Sequence, residues 1–251
     1  MMDSLDRYYE AVLDTLKRVH EEEKEKIREA GRLIGKSLAE GRLLHVMGTG
    51  VHSYIAGEEI FYRAGGLVPV NAILDPGLSA QAGANRSTQV ERTPGYARAI
   101  LRTYPLHPGD VIMLVNANGI NAATIDAAMY CKEKGLTVIA ITSPECSRAI
   151  PPGHPARHPS NKNLYELADL YIDSKTPLGE ALISVEGCDQ KVAPASTSIN
   201  AFIQHSIVLA AVEYMISLGI KPPVWKSANA PGGDAANRQY LEDYAGRVKH
   251  L

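Results

Sequence analysis

Residues 111–130 read VIMLVNANGINAATIDAAMY. Val111, Ile112, Met113, Leu114 and Val115 form an unbroken apolar run, the pattern of a strand buried on both faces in a parallel sheet. Asn116-Ala117-Asn118-Gly119 breaks the strand with small, turn-forming residues. From Asn121, in a position to cap, the spacing of Ile125, Ala128 and Met129 becomes helical. Strand, small polar turn and helix start aim free backbone N–H groups and the positive end of a helix dipole at one point, which suits a phosphate. The amides of Asn116, Asn118 and Asn121 and the hydroxyl of Thr124 are the candidate donors. The competing reading is an ordinary turn whose asparagines serve only the backbone.

Working outward, the same logic recurs earlier. LLHVMG, residues 43–48, is a first strand that runs into Gly48-Thr49-Gly50-Val51-His52-Ser53 and then a helical pattern through Tyr54, Ile55, Glu58, Glu59, Ile60 and Phe61. Ser53 stands where a dinucleotide-binding loop would carry its third glycine, so the loop points to a phosphate monoester instead. Further strands are predicted at 67–73, 136–142 and 168–173, with an edge strand at 181–187. The alternation with helices gives an α/β chain with right-handed crossovers. Residues 4–40 form one long helical pattern, too long for a single sheet to cover, so part of it is expected to meet another subunit. Residues 75–97, rich in Gly, Ala, Ser and Asn, read as a long functional loop carrying Glu91-Arg92 just before a helix. For that pair the plainer reading is a surface ion pair. Residues 144–163 read as a proline-rich loop. Pro194 to Ser198 are expected to cap a helix over 199–218, apolar nearly all round, with residues 220–251 an irregular tail ending in a short helix.

Composition bounds the function. With 45% hydrophobic and 22% charged residues and a formal net charge of −2, nothing favours nucleic acid or an acidic membrane surface. Cys131, Cys146 and Cys188 are far apart and odd in number, so neither a disulfide framework nor a C-x-x-C metal site is expected, and a reducing cytoplasm fits best. No apolar run approaching the roughly 20 residues of a membrane span is read from the sequence. His154 and His158 are four apart but flanked by prolines, which excludes a helical zinc face. No metal and no cofactor is expected.

With GTGVHS, VNANGIN and PASTS in hand, the chain resembles the SIS (sugar isomerase) family of phosphosugar-binding domains, and within it the stand-alone bacterial sugar isomerase domain proteins. The resemblance extends through EEIFYRAGGLVPVN, VERTPGYA, ARHPSNKNLYELAD and SANAPGGDAAN. It implies a single domain over 1–251, with 1–40 a helical extension and 220–251 a tail packed on the domain. The fold implied is a three-layer αβα sandwich around a five-stranded parallel sheet, flavodoxin-like or Rossmann-like. It also implies a homodimer or homotetramer with sites at the subunit interface and a phosphorylated sugar as partner. Carried over by position, the phosphate falls to Gly48, Thr49, His52 and Ser53, to Asn116, Asn118, Gly119 and Asn121, and to Ser196, Thr197 and Ser198. Thr49, Asn118 and Thr197 are thus expected to converge on one anion. The chain departs from the family at Asn118-Gly119, where Ser-Gly is usual, at Asn116 in place of a serine, at the inserted Val51, and at Ala236, where a histidine is common.

Aldose–ketose isomerisation needs a base to move a proton between C1 and C2 and an acid to serve the oxygens. The candidate bases are Glu59 and Glu91, and the candidate acids are His158 and His205; a lone histidine on an apolar helix is also simply a core residue. The resemblance leaves two other classes open: a non-catalytic phosphosugar sensor and an amino-sugar phosphate etherase. Residues 1–40 lack a basic recognition helix, which argues against direct DNA binding.

Overall fold

The computed structural model describes residues 3–251. Asp3 accepts the Asp6 amide and starts α1 (Ser4–Ala39). Then follow β1 (Leu44–Gly48), α2 (Ile55–Ile60), β2 (Val70–Ala72), α3 (Ala84–Glu91), α4 (Tyr96–Leu101), β3 (Val111–Val115), α5 (Ala122–Glu133), β4 (Thr137–Thr142), α6 (Pro144–Ala149), α7 (Leu164–Leu167) and β5 (Leu170–Asp173). The chain closes with β6 (Ala181–Ile183), β7 (Val192–Pro194), α8 (Ser196–Ser217) and α9 (Gly233–Tyr244). Strands β1 to β5 form one parallel sheet in the order β2-β1-β3-β4-β5.

Alternation along β3 divides the core into two layers, because successive side chains leave a strand on opposite faces. Val111, Met113 and Val115 join Leu44, Val46, Ile139 and Ile141 under α1, α2 and α8. Ile112 and Leu114 join Met47, Val138 and Ala140 under α4 and α5. The result is a three-layer α/β sandwich with helices on both faces of a five-stranded sheet.

The long helices α1 and α8 lie close because small residues meet between them. A Cβ on Gly31 would fall 2.4 Å from the Ala210 Cβ, and one on Gly35 would fall 2.9 Å from the Ala211 carbonyl oxygen. The N-terminal half of α1 runs past the sheet and lies along the β6–β7 hairpin, where Tyr8 donates to the Pro194 carbonyl and Arg7 to that of Ser184. Leu5 and Tyr9 remain 79% and 61% exposed.

Four expectations need correction. Residues 75–97, expected as a loop, hold two 3-10 turns (Pro76–Leu78 and Ala80–Ala82) and α3, so Glu91 ends one helix as well as preceding α4 as expected. The helix escapes pattern recognition because Ser87 is its one buried residue. Residues 181–183 pair antiparallel with 192–194 in a separate hairpin and are not an edge of the main sheet. Residues 144–149 are helical, with Ser143 accepting the Cys146 amide as cap. Finally, α8 begins at Ser196, so the hydroxyl cluster is its first turn. α8 is long and apolar enough to cross a membrane, but Ile199, Ile203, Ile207, Ala211 and Met215 are buried against the sheet and α1.

Gly31→Val should push α1 off α8, cost on the order of 2 kcal/mol and lower the melting temperature by roughly 5 °C. An unchanged thermal transition would mean that the helix seam tolerates a larger side chain.

Candidate functional site

In a doubly wound sheet the strand order reverses at one point, and ligands bind there beyond the carboxyl ends of the strands. That point lies between β1 and β3, paired from Leu44↔Val111 to Gly48↔Val115. The two glycine-containing loops read from the sequence therefore leave the sheet side by side. The first folds tightly back on its strand: a Cβ at Gly48 would sit 1.6 Å from the Ser53 carbonyl oxygen. In the second, Gly119 takes the left-handed region (φ 61°) and its amide donates to Asn116 Oδ1 at 2.8 Å.

Asn116 also donates from Nδ2 to the Thr49 carbonyl (3.2 Å), stapling the two loops together. The Thr49 and Thr124 hydroxyls share a 2.6 Å hydrogen bond, and Asn121 donates to the Ala156 carbonyl. Many of the polar groups that the sequence offered as anion donors are thus engaged in shaping the loops. Asn121 occupies the N-cap position of α5 without a side-chain cap bond.

Above the staple lies a cavity of about 180 Å³. Its wall takes His52 and Ser53 from the first loop, Asn116 and Asn118 from the second, Ser196 and Thr197 from α8, and Glu91 from α3. Asn118 and Thr197 face one space as expected, whereas Thr49 lies beneath it, turned to Thr124. Gly48, Gly119, Asn121 and Ser198 are not part of the wall. The side chains of Ser53, Asn118 and Thr197 have no hydrogen-bond partner among the described residues. The first amides of α8 also open here: Ile199 N bonds back to the Ala195 carbonyl, leaving those of Ser196, Thr197 and Ser198 outside the helical ladder. Among the described residues no lysine or arginine lines the cavity, so any anion would be held by hydroxyls, amides and the dipole of a 22-residue helix.

The histidines part company. His205 Nε2 lies 2.9 Å from Glu59 Oε1. Glu59 lines a small adjoining hollow that shares His52, Ser53 and Thr197 with the main cavity. His158 stands outside both, with Nε2 3.6 Å from Asp126 and Nδ1 2.8 Å from the Ser160 hydroxyl. Two wall residues had no signal in the pattern: Thr88 and Glu180. Glu180 sits at φ 63° in an irregular loop and accepts the Ser196 hydroxyl at 2.7 Å. Asn200 was legible in principle, being one helical turn beyond Ser196 and Thr197 and so on their face.

Burial pushes the Glu91 carboxyl up to about 7, with the Glu180 charge adding to the rise and the Val51 amide and Arg92 opposing it. A larger cleft of about 370 Å³ lies at the other end of the sheet, around Arg42, His107 and Arg247. Its two guanidinium groups are occupied by the carbonyls of Pro108 and Gly41, and no helix start opens there.

This combination of a doubly wound sheet, hydroxyl-bearing loops after β1 and β3 and a Ser/Thr helix start defines the class. The chain belongs to the SIS domain family, whose sequence profile matches residues 7–143. It is 35% identical over 251 residues to a UPF0309 protein of Shouchella clausii, covering 100% of both chains. To a UPF0309 protein of Caldanaerobacter subterraneus it is 37% identical over 250 residues, covering 98% of this chain and 100% of that one. The phosphoheptose isomerase of Francisella tularensis shares the fold at a TM-score of 0.53 and 14% identity, over 84% of this chain and 99% of that one.

Because folding holds the Glu91 proton from the ordinary carboxylate value of 4.5 up to about 7, this group's contribution to stability is full below 4.5 and is lost as pH rises through 7. Glu91→Gln should therefore gain stability over the parent progressively between pH 5 and 8, by on the order of 2 kcal/mol. A difference in melting temperature that stays flat across that range would contradict a half-buried Glu91 whose carboxyl holds its proton up to about 7.

Proposed function

We propose that the protein binds a phosphorylated sugar and interconverts its aldose and ketose forms through an enediolate. The phosphate is held by the Ser53 and Thr197 hydroxyls, the Asn118 amide and the first amides of α8. One observation carries this reading: a carboxyl raised to about 7 forms part of the same wall as these free donors. A carboxylate of that basicity is partly ionised at neutral pH, and when ionised is strong enough to take a proton from carbon next to a carbonyl. Glu91 removes the C2 proton of the open-chain aldose and returns it to C1. Meanwhile a proton passes between the two oxygens through the Glu59–His205 pair. The relationship to SIS proteins and the phosphoheptose isomerase fold agree with this chemistry. The exposed Leu5 and Tyr9 on α1 are its self-association surface in a homodimer or homotetramer; a monomeric mass in light scattering at micromolar concentration removes that part.

Glu180 favours one second reading, an etherase, because two carboxyls at one cavity can act as base at C2 and as acid to an ether oxygen leaving C3. Incubation with pentose, hexose and heptose phosphates, and with an amino-sugar phosphate that carries an ether at C3, in deuterium oxide, followed by NMR, separates the cases. An isomerase exchanges the C2 proton and yields the other sugar form, an etherase yields an unsaturated sugar, and a sensor does neither. For the isomerase, Glu91→Gln should lower turnover at least 100-fold, and the parent's rate should rise with pH through about 7. Glu59→Gln and His205→Asn should slow turnover without moving that limb. Undiminished turnover in Glu91→Gln removes Glu91 as base.

A further inference from the structure

The cavity of about 180 Å³ is smaller than the roughly 300–1,000 Å³ usual for a small-molecule site, so a phosphosugar enters only where a wall gives way. Three of its walls are fixed. Asn116 staples the loops after β1 and β3, and Gln204 holds α8 to α2. The loop before β6 is pinned where the Thr176 carbonyl accepts the Ser143 hydroxyl at 2.7 Å. The wall from α3 differs. Between Gly83 and Gly95, both at positive φ (107° and 85°), Ser87 is the one buried residue and Val90 the one apolar side chain packed on the core. Among the described residues, every hydrogen bond of 84–94 but one stays within the segment or goes to the adjoining Gly83 and Tyr96. The exception is the Glu91 carboxyl, which accepts the Val51 amide. It lies so close over the first loop that a Cβ at Gly50 would meet its Oε2 at 2.9 Å. Outside the two glycines the chain is anchored. The Gly95 amide donates to the buried Asp126 at 2.6 Å, the Tyr96 hydroxyl to Asp75 at 2.7 Å, and Leu78 is buried.

We propose that residues 84–94 are a lid, hinged at Gly83 and Gly95, which opens to admit the phosphosugar and closes with Thr88 and Glu91 against it. This rests on the phosphosugar reading above and deepens it. Thr88 and Glu91 are three apart, so they share a face of α3, and both line the cavity. Glycine adopts either sign of φ, so the backbone can turn at both ends of the segment without strain. Few buried contacts and purely local hydrogen bonds place the segment at the low-stability end of the molecule. Closure brings the base to C2 only once the ligand is seated, and it keeps bulk water from the enediolate. Inorganic phosphate, seated on the donors of α8 and the loops, offers the acidic Glu91 nothing to close on.

The test is hydrogen exchange read by mass spectrometry on the full chain. Calorimetry follows the binding of inorganic phosphate, ribulose 5-phosphate, fructose 6-phosphate and sedoheptulose 7-phosphate to the same protein. In the free protein the amides of α3 should exchange at least 100-fold faster than those of α5, whose residues are nearly all buried. Saturation with the tightest of the three sugar phosphates should slow exchange in α3 at least tenfold, and inorganic phosphate should slow it less than twofold. Val90→Ala loosens the one apolar anchor. It should speed exchange in α3 at least threefold, leave α5 unchanged and weaken sugar binding at least threefold. Protection of α3 equal to that of α5 in the free protein, or a Val90→Ala effect that spreads equally to α5, overturns the lid and makes α3 part of the core. A sugar phosphate that binds without slowing α3, or inorganic phosphate that slows it as much, overturns the lid and leaves the phosphosugar site standing. Binding of none of the three sugars overturns both.

Discussion

The parallel pairing of β1 with β3, carried to Gly48↔Val115, is the constraint on which the rest depends. It brings two loops that are 67 residues apart, at Thr49 and Asn116, into direct contact. The Asn116 side chain spans them, donating to one and accepting from the other, and the threonine pair beneath adds a second tie. Both bonds are buried, where an amide or hydroxyl left unpaired is costly, so the loops have little freedom to separate. A rigid floor under a cavity fixes where its hydroxyls and amides point before any ligand arrives.

The third wall comes from α8, whose position is set far from the cavity. Gly31 and Gly35 let α1 approach Ala210 and Ala211 at backbone distance. Gln204 ties α8 to α2 through the Ala56 carbonyl. Lys175, on the loop after β5, binds Glu22 and Glu23 of α1 and thereby anchors that helix to the end of the sheet. Dispersion and burial along these seams aim the first turn of α8, with Ser196 and Thr197, at the loops of β1 and β3.

The electrostatic character of the cavity follows from what is absent from its wall as much as from what is there. Without a lysine or arginine, an anion meets dipoles rather than a full positive charge. Such a cavity favours the protonated form of Glu91 beside Glu180, since burial and the Glu180 charge outweigh the Val51 amide and Arg92.

The sequence by itself determined the layered architecture and the two tight polar loops after β1 and β3, since apolar runs such as 111–115 and glycines at tight turns are local signals. The class of protein was legible through the same motifs. It also pointed to Glu91 and to the Ser196–Ser198 cluster, although the helix that Glu91 ends, α3, buries too little to show in the pattern. Only the tertiary structure decided which polar groups are spent. Thr49, Asn116 and Asn121 look like ligand donors in the chain but hold its loops, whereas Glu180, silent in the pattern, enters the wall. It also carried His158 to Asp126 and away from the cavity, and brought His205 to Glu59 across 146 residues. The physical reason is that period and turn chemistry act over a few residues, while the partner of a side chain is chosen by packing between elements distant in the chain.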